Sequence, residues 1–396
     1  MQLRLRDLWF EVHKYSGLAT LLFLIIAGAT GSVLVFRGGL DERLNPDLYR
    51  VAAAPALPPA ELARRLEAGR ARVQVVKLPL TTRPGHAAVL TVAGRAGAHL
   101  PYDQVFVDPA DGRVIGARQD KAGWGRRGLM HGVYDLHSTL VAGAVGRWIM
   151  GIVAAAWLVS NLIGLYLTLP RRGPFWRNWR PLWTVNLKAR APRVLLDLHR
   201  ASGLWLLPLV TILALTSVCL NFYYEFAEPV ALALSPARTS PFDGSPPRLA
   251  ADHRRRIDWA RAVAIAEADA ARRAPGWRPV NALYVPERGL YGVTLTRSGE
   301  DDYAGLGPIA FYYDDGDGRF VFRDDPGRDS AGRAALRSLY PLHSGQVFGW
   351  TTRWLVFILG ASTVEMGVTG LYLWLKRRGA RNSAARAGRA QEARAT

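Results

Sequence analysis

Apolar residues along the chain gather into four long runs, Gly17 to Phe36, Trp148 to Leu169, Leu204 to Phe222 and Trp354 to Leu375. A helix needs roughly 20 apolar residues to cross a hydrocarbon core about 30 Å thick, so each run predicts a transmembrane helix. Between the runs the pattern changes. A helix candidate at Pro59–Ala68 precedes the strand-like VQVVKL, AAVLTVAG and QVFVDPADGRVIG, and a second at Trp259–Ala274 precedes NALYVPE, YGVTLT and IAFYYDDGDGRFVF. Asp-Pro-Ala-Asp-Gly reads as a hairpin turn, so each segment predicts a helix followed by antiparallel strands. The fold class that follows is an integral membrane protein, mostly α, with four transmembrane helices and two small α+β domains. The predicted boundaries are 1–37, 136–170, 195–224 and 342–376 for the helices, 38–135 and 225–341 for the domains, 171–194 for a basic loop and 377–396 for a basic tail.

The pattern repeats. VHKYSGLATLLFLIIAGATGSVLVF from Val12 aligns without gaps on LHRASGLWLLPLVTILALTSVCLNF from Leu198, and 23 positions separate histidine from phenylalanine in both. DLHSTLVAGAVGRW from Asp135 aligns on PLHSGQVFGWTTRW from Pro341, followed at equal spacing by GLYLTLPRR and GLYLWLKRR. The chain therefore reads as two copies of helix, domain, helix, with the same topology and a pseudo-two-fold axis along the membrane normal.

Charge fixes the orientation. The net charge of +19 lies mostly beside the spans, and 170–193 carries Arg171, Arg172, Arg177, Arg180, Lys188, Arg190 and Arg193 without an acid. Positive flanks favour the cytoplasm, which places both termini and this loop inside and both α+β domains in the periplasm of a bacterial inner membrane. This distribution argues against nucleic acid as the partner. A single cysteine, Cys219, leaves the domains without an internal disulfide and excludes CxxCH haem attachment. The first apolar run is too long for a cleaved signal peptide.

Four of the eight histidines occupy the matched openings. His13 and His199 precede outward-running helices near the cytoplasmic face; His137 and His343 precede inward-running helices near the other face. Haem iron takes axial imidazole from two opposite sides, and helix bundles hold cofactors between facing helices. Two levels of two histidines suit two b-type haems, with His13 paired to His199 and His137 to His343. Ten positions separate His137 from Arg147, about 15 Å of helix, so the outer site is expected to protrude above the lipid. His131, on another face of the same helix, is the alternative outer ligand. Lys14, Arg200, Arg147 and Arg353 suit haem propionates, although membrane anchoring accounts for them as well. The alternative for the histidines is an interfacial role beside an aromatic belt of Trp9, Trp148, Trp205 and Trp354. Glu365, deep in the last span, reads as a neutral acid bonded to Asn161 or a backbone carbonyl, or else as a proton or quinol group. His86, His99 and His253 read as surface residues.

The His-basic-x-x-Gly openings at His13 and His199, the Leu-His pairs at 136–137 and 342–343, the Gly-Leu-Tyr-Leu exits and the Asp-Pro-Ala-Asp-Gly and Asp-Gly-Asp-Gly turns resemble the PepSY-associated transmembrane family, over nearly the whole chain. The better-understood members of that family include inner-membrane ferric-siderophore reductases. The resemblance implies PepSY-like external domains and a haem bundle that passes electrons to a periplasmic ferric siderophore. About 20 polar residues follow the last span, so an external donor is expected, either a quinol or a cytoplasmic reductase. Tyr312, Tyr313 and Tyr340, with the Arg and Trp residues near the outer histidines, are candidates for contact with the chelate. Two other functions remain open: a non-enzymatic binding or regulatory protein, and an iron-chelate transporter, which the lack of Gly/Pro-broken helices at equivalent positions disfavours.

Overall fold

A computed structural model describes residues 5–395 except 122, 238, 245–252 and 254. The long helix α1 (Leu5–Leu34) is followed by the short helices α2 (Arg37–Leu44) and α3 (Pro46–Tyr49), then α4 (Pro59–Ala68). Strands β1 (Val73–Pro79), β2 (Ala88–Gly94), β3 (Gln104–Val107) and β4 (Val114–Arg118) lead to α5 (Leu129–Thr139) and the long α6 (Gly143–Thr168). After the short α7 (Phe175–Trp179) come α8 (Ala191–Trp205) and α9 (Leu207–Asn221), then α10 (Glu228–Leu234) and α11 (Trp259–Arg273). The order closes with β5 (Arg278–Val285), β6 (Leu290–Thr296), β7 (Ile309–Asp314), β8 (Phe320–Asp324), α12 (Ala331–Ser344) and α13 (Trp350–Ala395).

Helices α1, α6 and the 350–380 part of α13 are each long and apolar enough to cross a membrane. The third predicted span is not one straight helix. It breaks between α8 and α9 with a bend of 70°. Pro208 at the start of α9 has no N–H, and its ring clashes with the carbonyl four residues back, which ends the hydrogen-bond ladder at Leu206. The aligned residue of α1 is Leu22, and α1 runs through that point unbroken. Counting α8 and α9 as one bent span gives up to four.

Small residues bring the helices together, as apolar surface alone gives little reason for helices to associate in lipid. Gly28 of α1 and Gly360 of α13 meet backbone to backbone: a Cβ on Gly28 would sit 2.7 Å from the Gly360 carbonyl oxygen. Ser32 Oγ donates across the same contact to the Phe357 carbonyl at 3.1 Å. Helix α1 also packs on α6, α6 on α9, and α8 on α13, closing the bundle.

The two α+β segments share one antiparallel sheet of eight strands, ordered β4-β3-β2-β1-β5-β6-β7-β8. At its centre β1 pairs with β5, Leu78 opposite Ala282. Left separate, each four-stranded half would present an open edge of unpaired backbone groups; joining β1 to β5 removes both edges. Helices α4 and α11 lie on the same sheet, and one core runs through Leu62, Leu66, Val75, Leu90, Ala266, Val293 and Phe311. At one flank, buried Arg118 of β4 pairs with Asp41 of α2 at 2.8 Å, and Tyr49 donates to Asp41 at 2.6 Å, tying the end of α1 to the sheet.

Candidate functional site

Two helix breaks set the position of the outer histidines. Between α5 and α6 the backbone turns through Leu140 (φ 55°), Val141 (φ 57°) and Gly143 (φ 55°); between α12 and α13 it turns through Gly345 (φ 72°) and Gly349 (φ 62°). Gly143 and Gly349 are aligned in the sequence. Each turn folds the short preceding helix back onto the bundle, so the outer histidines do not stand above their spans as a continuous helix would place them. His137 Nδ1 lies 3.1 Å from the Ala27 carbonyl oxygen and 3.1 Å from Thr30 Oγ1, within α1. Thr30 is six residues below Phe36, about 9 Å along the helix.

His343 has the matching surroundings on α9: its Nδ1 is 3.2 Å from Thr216 Oγ1 and also faces the Leu213 carbonyl. Ala27 aligns with Leu213, and Thr30 with Thr216. The His137 and His343 rings face each other with centroids 6.1 Å apart and planes at 53°.

The inner histidines repeat the arrangement on the other helices. His13 Nδ1 is 2.9 Å from Ser160 Oγ and 3.1 Å from the Ser160 carbonyl on α6. His199 Nδ1 is 3.2 Å from Thr369 Oγ1 and faces the carbonyl of Met366, the residue aligned with Ser160. His13 and His199 are close enough to influence each other electrostatically. Glycines make room for three of the four rings. A Cβ on Gly164 would stand 3.3 Å from His13 Cε1, one on Gly370 3.5 Å from His199 Cε1, and one on Gly31 3.0 Å from His137 Cε1. Gly164 and Gly370 are the glycines of the two Gly-Leu-Tyr-Leu motifs.

This geometry favours one tautomer. The carbonyls facing His13 and His137 only accept, and the Thr369 and Thr216 hydroxyls facing His199 and His343 donate to carbonyls of their own helices, so Nδ1 is the nitrogen suited to carry the proton and Nε2 to keep its lone pair. That is the state required of an imidazole ligand, and it is the usual function of a second contact behind the ring. The outer rings, with centroids 6.1 Å apart, are near enough to share one metal centre. That spacing and the matching surroundings of all four rings fit haem ligation by imidazole. No group of three or more His, Cys, Asp or Glu side chains among the described residues is arranged for a bare metal ion.

The other predicted site residues separate into groups. His131 points away from the pair, 3.5 Å from Asp135 and 3.8 Å from Asp120. Arg147 forms an ion pair with Glu225 at 2.6 Å and donates to the Asn221 carbonyl. Its aligned partner Arg353 stacks on Trp350 at 5.1 Å, with a buried Nε that has no hydrogen-bond partner. Lys14 pairs with Glu11 and lies 4.2 Å over the Tyr15 ring. Arg200 is half-buried at the opposite end of the bundle from the sheet, beside Arg193, Asp197 and Arg377.

Glu365 accepts from Ser202 at 3.1 Å and from Thr369 at 3.3 Å; Asn161, its expected partner, leaves a buried Nδ2 unsatisfied. Thr369 thus stands between Glu365 and His199. His253 is not a plain surface residue: it sits 2.9 Å from buried Asp315, which also accepts from Tyr284 at 2.8 Å. His86 lies 3.7 Å from Glu42, and His99 is exposed. Tyr313 is buried in the sheet core against Asp269 and cannot touch a substrate. Tyr312 stacks on Phe242 at 4.7 Å, and its burial, with Asp324 nearby, pushes its hydroxyl up to about 12. Tyr340 is 47% exposed beside Tyr303.

The hydroxyl and carbonyl partners of the histidines were not singled out from the sequence. A signal existed: Thr30 and Thr216 remain aligned in a stretch where most neighbouring residues have diverged.

Residues 10–377 match the family described as "PepSY-associated TM region". No curated protein matches the chain.

Proposed function

The chain belongs to the PepSY-associated transmembrane family, and from that premise we propose that it is a haem-containing inner-membrane reductase that passes electrons across the membrane to a ferric siderophore in the periplasm. The observation that carries the proposal is the set of four histidines at two levels of the bundle, each with Nδ1 against a Ser or Thr hydroxyl on a neighbouring helix and Nε2 left to bind. Histidines inside a membrane bundle are costly, and a uniform second contact goes beyond what interfacial anchoring asks of them. The two levels stand 17 residues apart on α1, His13 to Thr30, about 25 Å along the axis.

In this reading the chain has two repeats of the same topology, four spans, cytoplasmic termini and PepSY-like halves of the sheet in the periplasm. The Arg-rich flanks on one side and the sheet on the other support that orientation. His13 and His199 would hold the inner haem b, and His137 and His343 the outer one; each haem would supply a one-electron redox centre when bound. The Nδ1 contacts would hold the rings in the ligating tautomer. Arg353, with no carboxylate partner among the described residues, is the better placed of the two outer arginines to meet a propionate; Arg147 is already paired with Glu225. The inner level receives electrons from a quinol or a cytoplasmic reductase. At the outer level one electron converts chelated Fe(III) to Fe(II), which hard oxygen ligands hold far more weakly, so the metal is released.

The test is a single-turnover reaction. Haem-loaded protein is reduced anaerobically, freed of reductant and mixed with a ferric hydroxamate and an Fe(II) trap. The expected result is haem reoxidation with one Fe(II) trapped per electron, slowed at least about tenfold in His343→Ala. Reoxidation no faster than without chelate would remove the reductase reading and leave a binding or regulatory role.

A further inference from the structure

At the end of the bundle away from the sheet, a cavity of about 410 Å³ is walled by Arg6, Thr168, Arg171, Arg172, Asn178 and Arg200. It lies where α1, α6 and α8 meet the loop that joins the two halves of the chain. Topogenic charge explains why arginines occur on this side. It does not explain why four of them line one cavity.

The carboxylates nearby do not neutralise it. Asp7 reaches Arg171 at only 3.8 Å with both side chains about half exposed, and Asp197 is held by Arg193 at 2.9 Å. Arg6 donates to the carbonyls of Leu167 and Leu169, capping the end of α6. Arg172 and Arg200 have no side-chain hydrogen bond or ion pair among the described residues, although Arg200 is half-buried and faces the positive charge of Arg193 and Arg377 against the single carboxylate of Asp197. Guanidinium groups gathered around one open cavity repel one another unless an anion lies between them.

The cavity wall is built. Asn178 Nδ2 donates to the Arg172 carbonyl at 2.7 Å, and Trp179 Nε1 donates to Thr168 Oγ1 at 3.2 Å, fixing the loop against α6. Beside it a row of packed rings runs through Trp176, Trp179, Trp183 and Trp205, with neighbouring centroids 5.1 to 5.5 Å apart. Trp176 is 72% exposed and Trp205 65% exposed. Exposed tryptophans at the end of a membrane bundle lie at the level of the lipid headgroups.

We propose that Arg6, Arg171, Arg172 and Arg200 form a binding site for a phosphate-bearing anion, supplied by the headgroup of an anionic phospholipid whose chains run beside the tryptophan row. Planar guanidinium groups match phosphate oxygens in pairs, and basic pockets between spans on the cytoplasmic side suit such headgroups. The site does not depend on haem: a haem-free chain retains it.

The test uses the full chain, delipidated in neutral detergent and titrated with phosphatidylglycerol under native mass spectrometry. R171Q/R172Q removes two cations from the cavity. K188Q/R190Q removes the same charge from the same loop, outside the cavity and outside the groove of the tryptophan row. The first bound lipid is expected to weaken about thirtyfold in R171Q/R172Q, the effect of two interfacial cations, and less than about threefold in K188Q/R190Q. Thermal unfolding of both variants checks that each remains folded. A second arm adds sodium phosphate at constant ionic strength: displacement of the lipid at millimolar phosphate identifies free phosphate as a competent occupant of the same site, and resistance to it identifies the lipid. Equal losses in the two variants mean diffuse attraction and overturn the site, as does an unchanged affinity in R171Q/R172Q.

Discussion

The inner and outer histidine pairs have the same chemical surroundings and different backbones beneath them. His13 and His199 belong to the spans themselves and face the opposite spans α6 and α13. His137 and His343 belong to short helices that precede a span, and they reach the bundle only because left-handed turns fold those helices inward. Inner geometry is therefore set by how spans pack; outer geometry is set by a few turn residues. Each pair is open to perturbation separately.

Removing a ligand divides the two levels most sharply. His199→Ala is expected to lose about one of two haems with the outer one retained, and His343→Ala the reverse, each measured by pyridine haemochromogen content per chain. Crowding the rings comes next. Gly31→Val places branched atoms where even a Cβ meets His137 Cε1 at 3.0 Å, and Gly164→Val does the same to His13 at 3.3 Å. The former is expected to deplete the outer haem and the latter the inner, distinguishable by which ligand variant shows no further loss when combined with it. Smaller effects follow from the contacts behind the rings. Thr216→Val and Thr369→Val leave the carbonyl acceptors in place, so haem affinity is expected to fall only about tenfold, at the outer and inner level respectively, by competition with a haem-binding acceptor. The smallest effect concerns the turn alone. Val141 holds φ 57°, a costly conformation for a β-branched residue, and Val141→Gly is expected to raise stability by about 0.5–1 kcal/mol in thermal unfolding with haem content unchanged. A loss of outer haem in that variant would mean that the Val141 side chain, and not the left-handed turn alone, positions His137.

The same contrast explains what was legible in the sequence. The inner level needed only the repeat: the helix through His13 is continuous, so counting along it works. The outer level did not, because Leu140 and Val141 are ordinary apolar residues that carry no turn signature, and a continuous helix was the natural expectation from His137 to Trp148. The protruding site that followed from it is replaced by one lodged against Thr30. Pro208 was visible in the third run, but length and hydropathy alone do not say whether a proline is absorbed or bends the helix by 70°. Helix and strand order in both α+β segments was readable from turn residues and alternation. The β1–β5 pairing was not, since it joins strands about 200 residues apart in the chain and depends on how both halves sit on the bundle. Likewise Glu365 finds Ser202 on a neighbouring helix, and His253 finds Asp315, through contacts that no local spacing encodes.

The most direct test of the central claim is the dithionite-reduced minus oxidised visible spectrum of the purified chain, expressed with adequate haem and quantified as pyridine haemochromogen, beside His13→Ala and His343→Ala. The account predicts a b-type spectrum with close to two haems per chain and about one in each variant. A folded chain without haem, or variants that keep the full complement, would contradict it.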